Sequence, residues 1–186
     1  YARIGKPEYA LSIARMIAGY LLLSKGTPFL YYGDEIGMGD MLFENVEDLK
    51  DTFGIRFYEY LLREGILSPQ EALRASQNIA RDVCRTPMQW SAEHNAGFST
   101  GSTTWLKVNP EYTKKNVDTQ ENDPDSLLNF YRRLMRLRHD YPVLCKGDYK
   151  WIDANSNDYI AFLRCEKGLT SVAVYLNFSS QSLAVE

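Results

Sequence analysis

Lys25-Gly26-Thr27-Pro28-Phe29-Leu30-Tyr31-Tyr32-Gly33-Asp34-Glu35-Ile36-Gly37-Met38-Gly39-Asp40 sets a short apolar run between glycines and ends it on adjacent carboxylates. Pro28 to Tyr32 is continuously apolar or aromatic and too short for a helix, so it reads as a strand covered on both faces. Strands of that kind belong to parallel sheets. In barrels and open α/β sheets, chemistry gathers where such strands end, which places Gly33, Asp34 and Glu35 where a substrate would be met.

Upstream, Pro7 and Glu8 make a helix start, and the run to Ser24 is apolar nearly all round, which predicts a buried helix. Lys25 and Gly26 end it. The short step into the apolar run is the αβ connection of a parallel α/β sheet.

Downstream, the apolar spacing predicts a helix over Leu49 to Glu64, with Phe53, Phe57, Tyr60 and Leu61 on one face. A third helix should start at Ser68, with Pro69 at its first position and Glu71 as the capping-box partner, so that Gly65 closes a helical hairpin. From Arg81 to Trp105 periodicity is lost. Met88, Trp90 and Phe98 argue for a packed loop over a disordered one.

Asp123-Pro124-Asp125 opens the last long helix, whose Leu127, Leu128, Tyr131, Leu134, Met135 and Leu137 repeat at helical spacing. Arg132, Arg133, Arg136 and Arg138 line its other side as a solvated face, and Pro142 stops it. The period then becomes alternating. Asp148 to Ile152, Tyr159 to Arg164, Ser171 to Asn177 and Leu183 onward read as antiparallel strands.

The 186 residues carry 21 Lys and Arg against 24 Asp and Glu, and a net charge of −3 gives no general attraction to nucleic acid or to an anionic membrane. A neutral small-molecule substrate fits better. With 45% hydrophobic and 13% aromatic residues, the chain can bury one sizeable core or two small ones. Cys84, Cys145 and Cys165 match neither a disulfide framework nor a zinc motif, and are expected to be buried free thiols in a reducing cytoplasm. No apolar run approaches the ~20 residues of a bilayer span. The abrupt ends, Tyr1 and Val185-Glu186, lead us to expect a fragment of a longer protein.

Among the residues that could carry chemistry, Asp34 and Glu35 would point to opposite faces if both lay on a strand, so they are not by themselves the acid and nucleophile pair of a glycosidase. Either one of them faces the site, or one or both hold the loop by accepting backbone hydrogen bonds. Arg81 is expected to form a local ion pair with Asp82. Arg85, expected to be projected by the extended backbone that Thr86-Pro87 imposes, is the candidate for substrate contact. His94 and His139 lack partners at metal or triad spacing and are expected to be exposed.

The stretch from Gly26 to Met38 resembles the eighth barrel strand of the α-amylase family of glycoside hydrolases. Arg85-Thr86-Pro87-Met88-Gln89-Trp90, with Asn95-Ala96-Gly97-Phe98-Ser99 and Thr104-Trp105-Leu106 after it, is similar to the α-glucosidase, oligo-1,6-glucosidase and trehalose-synthase branch. With Asn116-Val117 and the Ser126-Leu127-Leu128 helix start, the resemblance covers essentially the whole chain. The helical hairpin between Asp48 and Ala80 looks like an insert of the hydrolases that is short or missing in trehalose synthases.

The resemblance implies an α/β fold: residues 1–141 would be the C-terminal part of a (β/α)8 catalytic barrel with a helical insert, its last strand and following helices. Residues 142–186 would begin an incomplete antiparallel β-sandwich domain. It further implies a retaining α-glucosidase acting on α-linked gluco-oligosaccharides from the non-reducing end; no cofactor, no metal ligand within this chain, and neither nucleic-acid nor membrane partners are expected. The family's nucleophile aspartate, acid/base glutamate and stabilising aspartate are expected upstream of Tyr1, so none of the catalytic residues falls within this chain and the fragment alone should be inactive. Arg85 matches the arginine that binds the non-reducing-end glucose in relatives, and Asp34 and Glu35 mark the loop at the strand end, Glu35 matching a structural residue. The alternatives are a trehalose synthase and a non-catalytic assembly protein of the kind that forms heavy subunits of amino-acid transporters.

Overall fold

The computed structural model describes residues 7–184. They divide into two compact units, one made by the chain up to Gly37 together with Asp123 onward, the other by Met38–Asn122.

In the first unit a single turn of 3-10 helix at Pro7–Tyr9 leads into α1, Ala10–Leu23. Only one stripe of α1 is buried, Ala14, Ala18 and Leu22 with Gly19 and Leu23 beside it, while Leu11 and Tyr20 are about half exposed. The apolar composition had predicted burial all round. The small residues decide which face packs: a Cβ on Gly19 would lie 3.1 Å from the Leu176 side chain, so the helix and a strand approach closely there.

α5, Leu127–Asp140, starts at Ser126, whose hydroxyl caps it by accepting from the Asn129 N–H; the start is therefore one residue past Asp123-Pro124-Asp125. A short α6, Val143–Lys146, follows Pro142. Then come β1 (Asp148–Asp153), β2 (Tyr159–Cys165) and β3 (Val172–Asn177) in an antiparallel sheet of that order. Trp151 pairs with Phe162 and Phe162 with Val174. Residues 183 and 184 form no strand, and the rest of the expected fourth strand lies outside the described residues. Phe162, Val174, Leu144, Leu127 and Tyr131 close one core against the α1 stripe.

Pro28 to Tyr32 is not a strand. Phe29 is 86% exposed, and Leu30, Tyr31 and Tyr32 are exposed too. A strand buried on both faces exists only where neighbouring strands take its backbone groups, and among the described residues no strand runs alongside this stretch.

The second unit holds the helical hairpin α2 (Thr52–Arg63) and α3 (Pro69–Gln77). Ser68 begins α3 as expected, its N–H and hydroxyl both donating to Glu71 at 3.0 and 2.6 Å. Gly54 marks the close approach: a Cβ there would sit 2.6 Å from that of Ala80. Phe43, Leu49, Ala80, Val83 and Leu106 form the core. Gln77 is buried by bonding both backbone groups of Phe43.

The irregular segment after Arg81 is packed through its backbone more than its aromatics. Thr86, Met88 and Gln89 are buried, and the Val117 N–H at the start of α4 (Val117–Glu121) donates to the Gln89 carbonyl. Trp90 and Phe98, which the composition had suggested were buried, are half exposed. The cysteines also depart from expectation, with Cys84 and Cys145 exposed and Cys165 intermediate.

Candidate functional site

The turn after the apolar run is a 3-10 turn, Asp34–Ile36, between Gly33 at φ 89° and Gly37 at φ 70°, left-handed positions that glycine takes without strain. Asp34 Oδ2 accepts from the Tyr31 N–H at 3.1 Å, and Glu35 Oε2 from the Gly33 N–H at 2.9 Å. Ile36, 1% exposed, anchors the turn.

The second unit gathers Arg81, Asp82 and Arg85 into one place. They line an open cavity of about 190 Å³ with Lys50, Asp51, Thr52, Trp105 and Leu106. The expected Arg81–Asp82 pair does not form. Arg81 instead grips Asp51 with both branches of its fork, Nε to Oδ2 at 2.9 Å and Nη2 to Oδ1 at 2.8 Å, while Asp82 is buried and accepts from the backbone N–H groups of Lys50 and Asp51. A planar fork is satisfied better by a carboxylate that faces it than by its chain neighbour.

Asp51 was missed in the sequence, where the helix was started at Leu49. Its signal was the N-cap position: Asp51 accepts from the Phe53 N–H and begins α2. Arg81 holds the Asp51 carboxyl well below the usual carboxylate range, against the opposing effect of burial, and Asp51 in turn raises the Arg81 guanidinium. Arg85 differs from both. It is exposed, and its guanidinium makes no hydrogen bond or ion pair among the described residues. Trp105, also unassigned in the sequence, is 78% exposed at the cavity rim.

Arg85, with unoccupied donors, and Trp105 line the same cavity and suit a neutral polyhydroxylated ring, because the fork can bond paired hydroxyls and the indole can cover an apolar ring face. His94 is exposed with Nε2 3.0 Å from the Gly101 carbonyl, and His139 is exposed beside Asp140. No group of three or more His, Cys, Asp or Glu that could hold a metal occurs among the described residues.

The model of the alpha amylase catalytic domain matches residues 1–147. The chain belongs to the alpha-amylase catalytic-domain family. It is 38% identical over 94% of its length to a probable oligo-1,6-glucosidase of Bacillus subtilis (strain 168), and 35% identical over 94% to the oligo-1,6-glucosidase of Parageobacillus thermoglucosidasius. It spans 31% of each of those proteins. Among solved structures, the trehalulose synthase MutB of Pseudomonas mesoacidophila MX-45 superposes with a TM-score of 0.85 at 36% identity, over 96% of this chain and 32% of that one. A mutant isomaltulose synthase of Erwinia rhapontici NX5, solved with its natural substrate sucrose, gives 0.81 at 36% identity, over 95% of this chain and 31% of that one.

Proposed function

We propose that the chain is the C-terminal part of the (β/α)8 catalytic barrel of a retaining α-glucosidase, with residues 1–141 in the barrel and 142–186 opening a β-sandwich domain. Pro28 to Tyr32 would be the last barrel strand, paired in the full-length protein by strands outside these residues. The observation that carries the reading is similarity to oligo-1,6-glucosidases along 94% of the chain. Cleavage would run through a glycosyl-enzyme intermediate on carboxylates supplied by the rest of the protein.

Within this chain Arg85 binds the non-reducing-end sugar, supported by its free guanidinium at the cavity. Asp34 and Glu35 shape the turn at the strand end, supported by their bonds to the Tyr31 and Gly33 N–H groups. The substrate is a small α-linked gluco-oligosaccharide. No helix of the described residues is long and apolar enough to cross a membrane. The free thiols of Cys84, Cys145 and Cys165 fit a reducing cytoplasm as the place of action.

The test is the full-length protein with a synthetic α-glucoside and with isomaltose. Release of glucose first as the α-anomer is expected. No hydrolysis of either, together with missing upstream carboxylates, favours a non-catalytic assembly role. The trehalulose and isomaltulose synthases among the structural neighbours favour a second reading, transfer of glucose within the substrate. Product analysis on maltose and sucrose separates it, since an isomerising enzyme, a trehalose synthase included, returns a disaccharide where a hydrolase returns glucose.

A further inference from the structure

Arg164 on β2 is fully buried, yet no carboxylate lies within ion-pair distance of it among the described residues. Its donors are taken by backbone carbonyls. Nη1 donates to Leu23 and Leu144 and Nη2 to Gly147, each at 2.8 Å, and Nε reaches Asp148 at 3.4 Å. Leu23 ends α1 and Leu144 lies in α6, so the charge sits where helix C-termini present unpaired carbonyls and the negative end of their dipoles. Burying a guanidinium with no counter-ion is costly, and this one is retained where the helix ends supply the compensation.

Arg138 on α5 works on the same stretch from the other side. Its Nη1 donates to Leu22 at 2.7 Å and Ser24 at 3.2 Å, and its Nη2 to Gly26 at 2.6 Å. Lys25 is tied to Asp148 of β1 at 2.9 Å. The carbonyls of Leu22, Leu23, Ser24 and Gly26 are therefore all held by two guanidiniums from different elements. The chain leaves this clamp into Thr27 to Tyr32, which joins no strand ladder among the described residues, and is caught again at Gly37, where a Cβ would lie 3.2 Å from Leu127. Leu127 and Arg138 stand at opposite ends of α5. That helix measures the span between the two anchors, and the turn carrying Asp34 and Glu35 hangs from them.

We propose that Arg138 and Arg164 are positioning residues, which fix the exit of α1 and through it the place of the Gly33–Gly37 turn. This rests on the reading above only in taking that turn to matter for the reaction. Arg164 carries the further consequence that the β-sheet is wired into the catalytic part and is no appendage to it.

The test uses the full-length protein with Arg164→Met and Arg138→Met, read by amide hydrogen exchange and by kinetics well below the melting temperature. Exchange over residues 22–33 should rise about tenfold or more while α2 and α3 keep theirs, and kcat should fall about tenfold with KM nearly unchanged. Arg138→Lys, which can still reach one of the three carbonyls, should recover part of the loss. Unchanged exchange over 22–33 overturns the clamp. Faster exchange with unchanged kcat overturns the positioning role. If the wild type hydrolyses no α-glucoside, the functional reading fails and the exchange still decides the clamp. Should Arg164→Met not fold, Arg138→Met, whose guanidinium reaches the surface, gives the same two readouts.

Discussion

Tyr159–Cys165 and Pro28 to Tyr32 have similar strand-like composition and opposite fates. The first becomes the central strand β2, with Ala161, Phe162 and Arg164 fully buried and partners on both sides. The second is exposed, Phe29 most of all, and joins no strand ladder among the described residues. On the barrel proposal, what separates them is where the partners lie in the sequence. The neighbours of β2 arrive within a few residues on either side, joined by tight turns, so this chain can complete its ladders alone. An inner strand of a parallel barrel needs neighbours that come from distant parts of the chain.

The largest effects should come from testing that difference directly. Phe162→Ala empties the middle of a packed core and should cost about 3–5 kcal/mol in urea denaturation. Phe29→Ala in the 186-residue chain should stay within about 0.5 kcal/mol. In the full-length protein the two costs should converge, because the barrel reading buries Phe29 there. A Phe29→Ala cost that stays near zero in the full-length protein would show that no strand covers it and would remove the barrel strand. The same exposed stretch predicts that the isolated chain self-associates. Sedimentation of a clean monomer across a wide concentration range, with a sharp cooperative melt, would break the comparison.

Legibility in the sequence follows the same division. The capping box of Ser68 and Glu71 needs only residues three apart, and it was readable. So were the three strands and their turns. The Asp51–Arg81 pair and the Arg164 clamp were not, because in both cases the partners lie far apart in sequence and are selected by the fold. Arg138 was grouped with a solvated arginine face, although its guanidinium binds three carbonyls of the α1 exit. Of the candidate site, Arg85 was singled out on the extended backbone expected before Thr86-Pro87, but it closes the Arg81–Cys84 turn at φ −114° and ψ 18°, because proline restricts only the residue directly before it. Trp105 had no local signal of a role.

A second comparison, inside the cavity, sets Arg81 against Arg85. One fork is spent on Asp51 and the other is free. In the full-length protein Arg85→Ala should remove a charge-assisted hydrogen bond of roughly 1.5–3 kcal/mol, a ten- to hundredfold loss in kcat/KM, with the melting temperature nearly unchanged. Arg85→Lys keeps the charge but loses the planar fork, and should remain impaired. Arg81→Ala should show the reverse pattern, a lower melting temperature with kcat/KM nearly kept. Unchanged kcat/KM for Arg85→Ala with a large loss for Arg81→Ala would transfer the sugar contact to Arg81.

The smallest expected effect concerns acid. Asp51 has a folded-state pKa depressed first by its hydrogen bonds from Arg81, so the unfolded state binds the proton more readily than the folded one. Its contribution is therefore complete above the ordinary aspartate value of about 3.9 and is lost as pH falls below that towards the depressed folded value. The Arg81 side chain is 59% exposed, and solvent screening keeps the electrostatic part of the pair small. Asp51→Asn retains an N-cap acceptor but carries no charge. Measured by urea denaturation, it should be modestly less stable than wild type at neutral pH, with the gap narrowing as the pH is taken down to about 3. Arg81→Met should show the same narrowing, since it removes the largest cause that holds the Asp51 carboxyl down and leaves burial to push it up. A gap that stays constant across the acid range would mean that the pair contributes through packing and capping alone, and that the Arg81 fork is as available for a ligand as that of Arg85.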